Sequence, residues 1–483
     1  MATGGVAHGA GGAIAAGDAA TARAGADLLA AGGTAADAVC AALLAACVAE
    51  PGLASLGGGG FALVSEPGRA PVLHDFFVAA PGLDAQRPAP PMVDLIVRFA
   101  GAEQVFRVGV GSVATPGLVP GVLHVHARHG RAGLPDVVAP ARTLALDGVT
   151  LGRHQASVLT LLRETVLLTP GCAALYAPGG EPLAAGDTAR NPELARVFEG
   201  LGDGEIAGWA DLAGPLLAAG GGLTRRDLES YAVAEREPLA IDHRGARVLT
   251  NPAPAYGGRI LAGALGRLPG RFDASPHAYA ALAQAIAAAT AEGKRLGPAA
   301  VRGTTQVSAV DAAGMVVSAT ISNGSCSGIV APGTGIHLNN VMGEDDLLPH
   351  GGDAVRPGER VGSMMSPSVL TLAGGDRVAL GSGGSERIRS AITQAVLQLA
   401  DRGLDLSAAV LAPRIHPHDG VVQAEPGLPP EVLDALRSLG PVVEWEAADL
   451  FFGGVHAVLR RADGSAAAFG DPRRGGAAVV LAP

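Results

Sequence analysis

The chain has 483 residues, 48% of them hydrophobic but only 3% aromatic, so its apolar content is mostly Ala, Val and Leu, with 71 glycines beside them. Such small side chains suit close-packed layers of helix and strand, and the length allows either about three average domains or one large unit of helix and strand. A net charge of -10 without a basic run or a Lys/Arg stripe argues against nucleic acid and anionic membrane as partners.

The opening stretch MATGGVAHGAGGAIAAGD has neither a basic n-region nor an uninterrupted apolar h-region, and no transmembrane-length apolar segment follows, so a cytoplasmic protein is expected. Two helices come next: GDAATARAGADLLAAGG, closed by Gly32 and Gly33, and TAADAVCAALLAACVAE, entered from Thr34 as N-cap. Cys40 and Cys47 fall on one face of the second helix and are expected in the core. With Cys172 and Cys326 they show no CxxC spacing, which suggests neither a disulfide framework nor a zinc site. LGGGGFALV reads as a flexible turn into a short strand. Lacking the Lys and Ser/Thr of a P-loop, its glycines point to close backbone packing rather than phosphate binding.

From about residue 120 to about residue 300 the chain reads as mostly helical. VVAPARTLALDG and NPELARVFEGLG are amphipathic, LTRRDLESY is entered by Thr224, and DHRGARVLT reads as a hairpin. In LHVHARHG, His126 and His129 share a helical face but His124 does not, and no nearby acid completes a metal site, so capping or surface roles are expected and no metal or cofactor. Beyond residue 303 come the strands TTQVSAV, MVVSATI, SVLTLAG and RVALGS. The last feeds the helix ERIRSAITQAVLQLADRG, where Ile388, Ile392, Val396 and Leu399 recur at helical spacing. In PRIHPHDG, His416 is expected to play a structural part. No linker marks a boundary, so two interlocked segments are expected.

Two features of this second half point to chemistry. Taking DAAG as a four-residue turn sets Thr304 opposite Ile321, flanked by Thr320 and Ser322, and gathers hydroxyls at one end of a hairpin. VALGSGGSERIRSAI is a strand, a glycine turn and a helix start, which presents backbone N–H groups. Glu386 stands where a dinucleotide fingerprint needs glycine and would repel a pyrophosphate, so Gly383 and Gly384 fit an oxyanion hole better.

Five stretches together carry a resemblance along nearly the whole chain: AGADLLAAGGTAADAVCAALLAACVAEP with LGGGGFALV, LTRRDLESYAVAEREPLAIDHRGARV, NPAPAYGG, GTTQVSAVDAAG with GIVAPGTGIHLNN, and SMMSPSV with GSGGSERI. The chain resembles the gamma-glutamyltransferase family of N-terminal nucleophile hydrolases. The resemblance implies an α+β fold, a four-layer αββα sandwich, formed jointly by two subunits of one self-cleaving precursor. The scissile bond would join Gly303 to Thr304, giving a large subunit of residues 1–303 and a small subunit of residues 304–483. Thr304 would be the nucleophile, its freed α-amino group the base, Ser322 a supporting hydroxyl, and Gly383 and Gly384 the oxyanion hole.

The same alignment places the substrate contacts at Phe77, Asn323, Glu344, Ser363 and Met364, with Asp345 an alternative to Glu344. The family holds its γ-glutamyl donor's carboxylate with an arginine and a pair of serines. Here Phe77 occupies the arginine position and Met364 the second serine, Val341 replaces a polar residue, and Gln306 stands where a histidine is usual. Losing a guanidinium fork removes the bidentate hold on a carboxylate and implies a more apolar pocket. The expected partners are therefore a small-molecule acyl donor other than glutathione and a water or amine acceptor, and a homo-oligomer is left open. The family's range includes amide hydrolases and relatives assigned to C–C bond hydrolysis in antibiotic pathways, so a biosynthetic role is one expectation. A γ-glutamyl hydrolase or transferase with a rebuilt clamp and a non-catalytic small-molecule binding protein are the two alternatives.

Overall fold

The computed structural model describes residues 11–86, 90–99, 102–294, 303–344 and 355–482. Asp18 opens the first helix, Ala19–Ala30 (α1), by accepting the Ala20 N–H at 2.7 Å. Gly32, at φ +86°, then turns the chain so that the Gly33 N–H reaches the Leu28 carbonyl at 2.8 Å. Thr34 and Asp37 form a reciprocal capping box that starts Ala35–Ala49 (α2), a helix buried at every position, with Cys40 and Cys47 in the core as expected. Further helices run over Leu118–His129 (α3), Leu134–Asp147 (α4), Pro192–Asp203 (α5), Gly257–Gly266 (α6), Pro276–Lys294 (α7) and Arg387–Ala400 (α8). Thr224 caps the short helix Arg225–Ser230 in a second capping box with Asp227.

The two main sheets take strands from both halves of the chain. In order they are Gly12–Ala16 (β1), Gly59–Ser65 (β2), Val72–Phe76 (β3), Ala234–Arg236 (β4), Leu239–His243 (β5), Ala246–Thr250 (β6), Gly303–Asp311 (β7), Val316–Gly324 (β8), Ser368–Thr371 (β9), Arg377–Gly383 (β10), Gly454–Arg460 (β11), Ala466–Phe469 (β12) and Ala477–Val480 (β13). A seven-stranded sheet has the order β13-β1-β7-β8-β2-β3-β4, and a six-stranded sheet the order β12-β11-β10-β9-β6-β5. The sheets pack face to face, with β7 and β8 lying on β10 and β11. Period-2 alternation sorts the residues between layers. Val307, Ala309, Val317, Ala319 and Ile321 join α1 to α4 in one core, whereas Val310 and Val316 join the second sheet and α6 to α8 in another. The result is the expected αββα sandwich. Its two segments are interlocked, because β1 from the start of the chain lies between β7 and β13 from its end.

Two local expectations are corrected. The β7–β8 turn has three residues, Ala312 to Gly314, with Gly314 at φ +91° as a hairpin of that length requires, so Val310 faces Val316 and Thr304 faces Ser322. Thr305, not Thr304, stands opposite Ile321. LGGGG is also no flexible turn. Gly57 to Gly60 are buried where the chain runs into β2, and a Cβ on Gly60 would meet the Thr320 carbonyl oxygen at 2.3 Å and that on Gly58 the Ser322 carbonyl oxygen at 2.4 Å. The reading of these glycines as close backbone packing is the one the fold supports. Gly60→Ala is expected to lower stability by about 1–3 kcal/mol through overpacking against β8, measured by urea unfolding, whereas Gly179→Ala, with no atom within 4 Å and no positive φ, serves as the control.

Candidate active site

A register shift opposite Gly303 and Thr304 leaves Asn323 of β8 as an unpaired bulge residue, and alternation along β7 puts Thr304 on the face with Gln306 and Ser308, between the sheets. The Thr304 hydroxyl donates to Ser322 Oγ at 3.4 Å. Ser322 in turn donates to the Gly303 carbonyl at 2.5 Å and accepts the Gly324 N–H at 3.0 Å. The carbonyl that precedes Thr304 is therefore polarised by a fixed hydroxyl, with the Thr304 hydroxyl beside it. Gly303 fits because a Cβ there would lie 2.4 Å from the Gly52 carbonyl oxygen.

Across the sheet interface β10 ends at Gly383. Gly384, at φ +116°, and Ser385, at φ +52°, carry the chain into α8. A Cβ on Gly383 would lie 2.3 Å from the Thr304 carbonyl oxygen, so this turn abuts the start of β7. Arg474, which the sequence reading did not single out, packs its guanidinium on the same turn, with Nη1 3.2 Å from where a Gly383 Cβ would be. Burial lowers its pKa to about 10, opposed by Asp471 and Asp449, so it is a cation at neutral pH. Below it lies a buried network: Arg414 on Asp471 at 2.6 Å, and Arg473 on Glu425 at 2.6 and 2.7 Å. The adjacent arginines in DPRRGGAAVV were the available signal, since a doublet of cations flanking an apolar strand needs buried partners. Glu386 meets His418 Nδ1 at 2.8 Å, and His416 Nδ1 meets Ser390 Oγ at 2.8 Å. Glu386, His416 and His418 come close enough to share a cation, but Arg389 already lies 3.4 Å from Glu386 Oε1.

Phe77 stacks on Phe61 with centroids 5.6 Å apart, and shares one apolar core with Val341 and Met364. Ser363 Oγ accepts the Met365 N–H at 3.1 Å, and the Met364 sulfur lies 3.9 Å from Arg389 Nη1. Glu344 is buried against the loop after Ser322, where a Cβ on Gly324 would meet its Oε1 at 2.6 Å. Asp345 lies outside the described residues. Asn323 donates its amide to the carbonyls of His337 at 3.2 Å and Leu338 at 3.4 Å, tying down that loop. The fold thus brings together Gly303, Thr304, Ser322 and Gly383, sets Glu344 beside them, and groups Phe77 with Met364.

Thr305 points to the opposite face of β7, where it meets a residue absent from the sequence reading. Glu50, the last-turn acid of α2, is fully buried and accepts the Thr21 hydroxyl at 2.8 Å. Its other oxygen and the Thr305 hydroxyl both crowd Gly17, 2.5 and 2.7 Å from where a Cβ would stand. Burial first, and then the Asp18 charge, push its pKa up to about 8 against the pull of the Thr305 and Thr21 hydroxyls, so it is a neutral acid at neutral pH.

A four-layer αββα sandwich with a hydroxyl at the head of a central strand, facing a glycine turn on the second sheet, defines an N-terminal nucleophile hydrolase. The chain matches the family described as Gamma-glutamyltranspeptidase over residues 21–302 and 290–481, and it belongs to that family. It is 30% identical to the acylase ACY 1 proenzyme of a Pseudomonas species, over 92% of this chain and 88% of that one. It is 29% identical to the glutathione hydrolase proenzyme of Escherichia coli, over 96% and 90%. The crystal structure of cephalosporin acylase from Bacillus halodurans superposes with a TM-score of 0.83 at 25% identity, over 99% and 97% of the two chains. Membership makes this chain a hydrolytic enzyme. No helix among the described residues is long and apolar enough to cross a membrane.

The Glu50 environment gives a signed pH dependence. In the unfolded chain the carboxyl ionises near its ordinary 4.5, whereas in the fold it keeps its proton to about 8. Its contribution to stability is thus fully present below pH 4.5 and is lost as the pH rises to about 8, by roughly 1.4 kcal/mol per unit at most. Glu50→Gln, which cannot ionise, should gain stability relative to the parent across that window and gain no more above it. Urea unfolding midpoints measured in a pH series check this, and a difference that is flat with pH contradicts it.

Proposed function

We propose that the chain is a self-processing threonine hydrolase that cleaves the acyl bond of a small molecule with an apolar acyl group. The observation that carries the proposal is the Thr304–Ser322–Gly303 arrangement, in which a hydroxyl stands beside a polarised carbonyl at the head of β7. In maturation, Thr304 Oγ1 attacks the Gly303 carbonyl carbon and passes its proton to the leaving amide nitrogen. The Gly303–Thr304 peptide bond breaks, leaving an ester between Gly303 and the Thr304 side chain. Water hydrolyses that ester, releasing the large subunit 1–303 with a new carboxylate and the small subunit 304–483 with a free α-amino group.

That amine, with a pKa of about 8, is the general base for the hydroxyl on its own residue. Thr304 Oγ1 then attacks the donor carbonyl, and the N–H groups of Gly383 and Gly384 hold the oxyanion, in the positive field of Arg474. The leaving group departs with the proton, and water or an amine takes the acyl group from Thr304.

An apolar donor follows from Phe77 and Met364, which share one apolar core at the positions where the family clamps a carboxylate. Amide hydrolysis is favoured because the relatives that are 30% identical are named acylases. A biosynthetic setting, as in antibiotic production, suits such a donor, and there the bond cleaved extends to C–C.

Purified protein should run on a denaturing gel as two fragments, and Thr304→Ala as one chain of 47.8 kDa. Ser322→Ala, which removes the donor to the scissile carbonyl, should slow processing on the order of 100-fold, by analogy with loss of one oxyanion donor. An intact wild-type chain would overturn the reading. For the donor, hydrophobic acyl anilides should turn over faster than γ-glutamyl anilide, and the reverse order returns the enzyme to γ-glutamyl chemistry.

A further inference from the structure

The histidines of LHVHARHG are not isolated in the fold, as the sequence suggested; strands distant in the chain supply the missing acids. His124 and His129 lie on α3, which packs on β3. β3 carries His74 and pairs with β4, so His74 stands directly opposite Glu235. One ligand atom each from His74, His124 and Glu235 lies within 4.8 Å of the other two, and His124 Nε2 is already 3.0 Å from Glu235 Oε1.

The hydrogen bonds around His74 decide which of its nitrogens is free. Its ring is fully buried. Nε2 lies 2.8 Å from His129 Nε2, and His129 Nδ1 contacts the Glu66 carboxylate. The carboxylate only accepts, so Nδ1 of His129 carries the proton between them; the His74 Nε2–His129 Nε2 contact needs one donor and one acceptor, and in the arrangement proposed below His129 Nε2 accepts. His74 Nε2 must then be the donor. That leaves His74 Nδ1 as a bare lone pair, buried and without a hydrogen-bond partner.

We propose that His74, through Nδ1, together with His124 and Glu235, binds one divalent transition cation of the zinc class. Two imidazoles and a carboxylate suit Zn²⁺, Co²⁺ or Ni²⁺ and not Mg²⁺ or Ca²⁺, which prefer oxygen. The His129–Glu66 pair orients His74 from behind, as outer partners of metal-bound histidines do. Arg128 already pairs with the same carboxylate, Nε 2.9 Å from Glu235 Oε1, so the ion has to share or displace it; Glu235 is exposed and free to turn, unlike the buried Glu386. A cavity of about 930 Å³ lined by Arg128, His129 and Glu235 opens on the carboxylate side of this cluster. Such an ion clamps α3, β3 and β4 together, and β3 leads directly to Phe77.

Co²⁺ titrated into the metal-free full-length protein, followed by its d–d absorption, tests this. Saturation at one equivalent, reversed by Zn²⁺, is expected, along with a Zn²⁺-dependent rise in thermal midpoint. His74→Ala and His124→Ala should abolish the signal, and His129→Ala should weaken binding by about 10- to 100-fold. His124 is part-exposed on a helix, so its variant keeps the test open if the buried His74→Ala does not fold. A wild-type protein that shows no saturable one-to-one signal, or a His124→Ala protein that keeps it, overturns the proposal.

Discussion

Two sheets are held face to face here by a row of hydroxyls and one amide, and the position of Thr304 depends on that seam. Thr304, Gln306 and Ser308 of β7 alternate with residues of the helix-side core, as do Ser318, Thr320 and Ser322 of β8. Gln306 donates to Ser308 and Ser318 at 3.0 Å each and accepts Thr320 at 2.6 Å. Ser308 then reaches the His456 carbonyl and Ser318 the Leu380 carbonyl, each at 2.9 Å across the interface. A buried polar network of this kind is costly when half satisfied and highly specifying when complete. A one-residue slip of β7 would put Thr304, Gln306 and Ser308 out of phase with the three hydroxyls of β8 and break the network. The register that places Thr304 opposite Ser322 is thereby fixed by groups that take no part in the proposed chemistry.

The same seam explains the glycines on the opposing strand. A Cβ on Gly381 would lie 2.2 Å from Gln306 Oε1 and one on Gly383 2.3 Å from the Thr304 carbonyl oxygen, so β10 can approach only as bare backbone. That approach brings the glycine turn, and behind it the Arg474 guanidinium, to the head of β7. In a site closed to water, fixed N–H dipoles and a buried cation act on a developing oxyanion without solvent reorganisation. Arg474 stays charged because Asp471 and Asp449 oppose its desolvation. The layer of ion pairs beneath the turn thus serves the proposed oxyanion hole as well as packing.

Local signals in the sequence located the helices, the hairpins and the threonine pair, because caps, glycines and periodicity act over a few residues. The hairpin register was one residue out, although the information to correct it was present. Polar side chains recur at every second position from Thr304 to Ser308 and from Ser318 to Ser322, and a pairing of matching parity, as of Thr304 with Ser322, puts them on one face, whereas Thr304 with Ile321 does not. Other features were illegible for a different reason. Glu50 and Thr305 are 255 positions apart, and His74 meets Glu235 and His129 only through sheet pairing and helix packing. Single residues of this kind carry no local pattern, and their chemistry exists only once topology has assembled it.

The two sides of β7 now divide the labour that a threonine pair implies. Thr304 faces the second sheet and the glycine turn, where charge would develop during acyl transfer. Thr305 faces Glu50, which burial keeps protonated at neutral pH and which therefore acts on the strand as a neutral hydrogen-bonding group. An ionised acid at that position would set a negative charge close behind the proposed nucleophile, opposing a developing oxyanion on the other face. Holding Glu50 neutral removes that charge from behind Thr304, while Arg474 and the backbone dipoles act from the other side. The proposed machinery is thus electrostatically one-sided, while the side chains at the proposed donor positions, Phe77 and Met364, belong to one apolar core. That is the physical ground for the proposed apolar donor, since a charged acyl group would lose its hydration against such side chains without gaining an ionic partner from them.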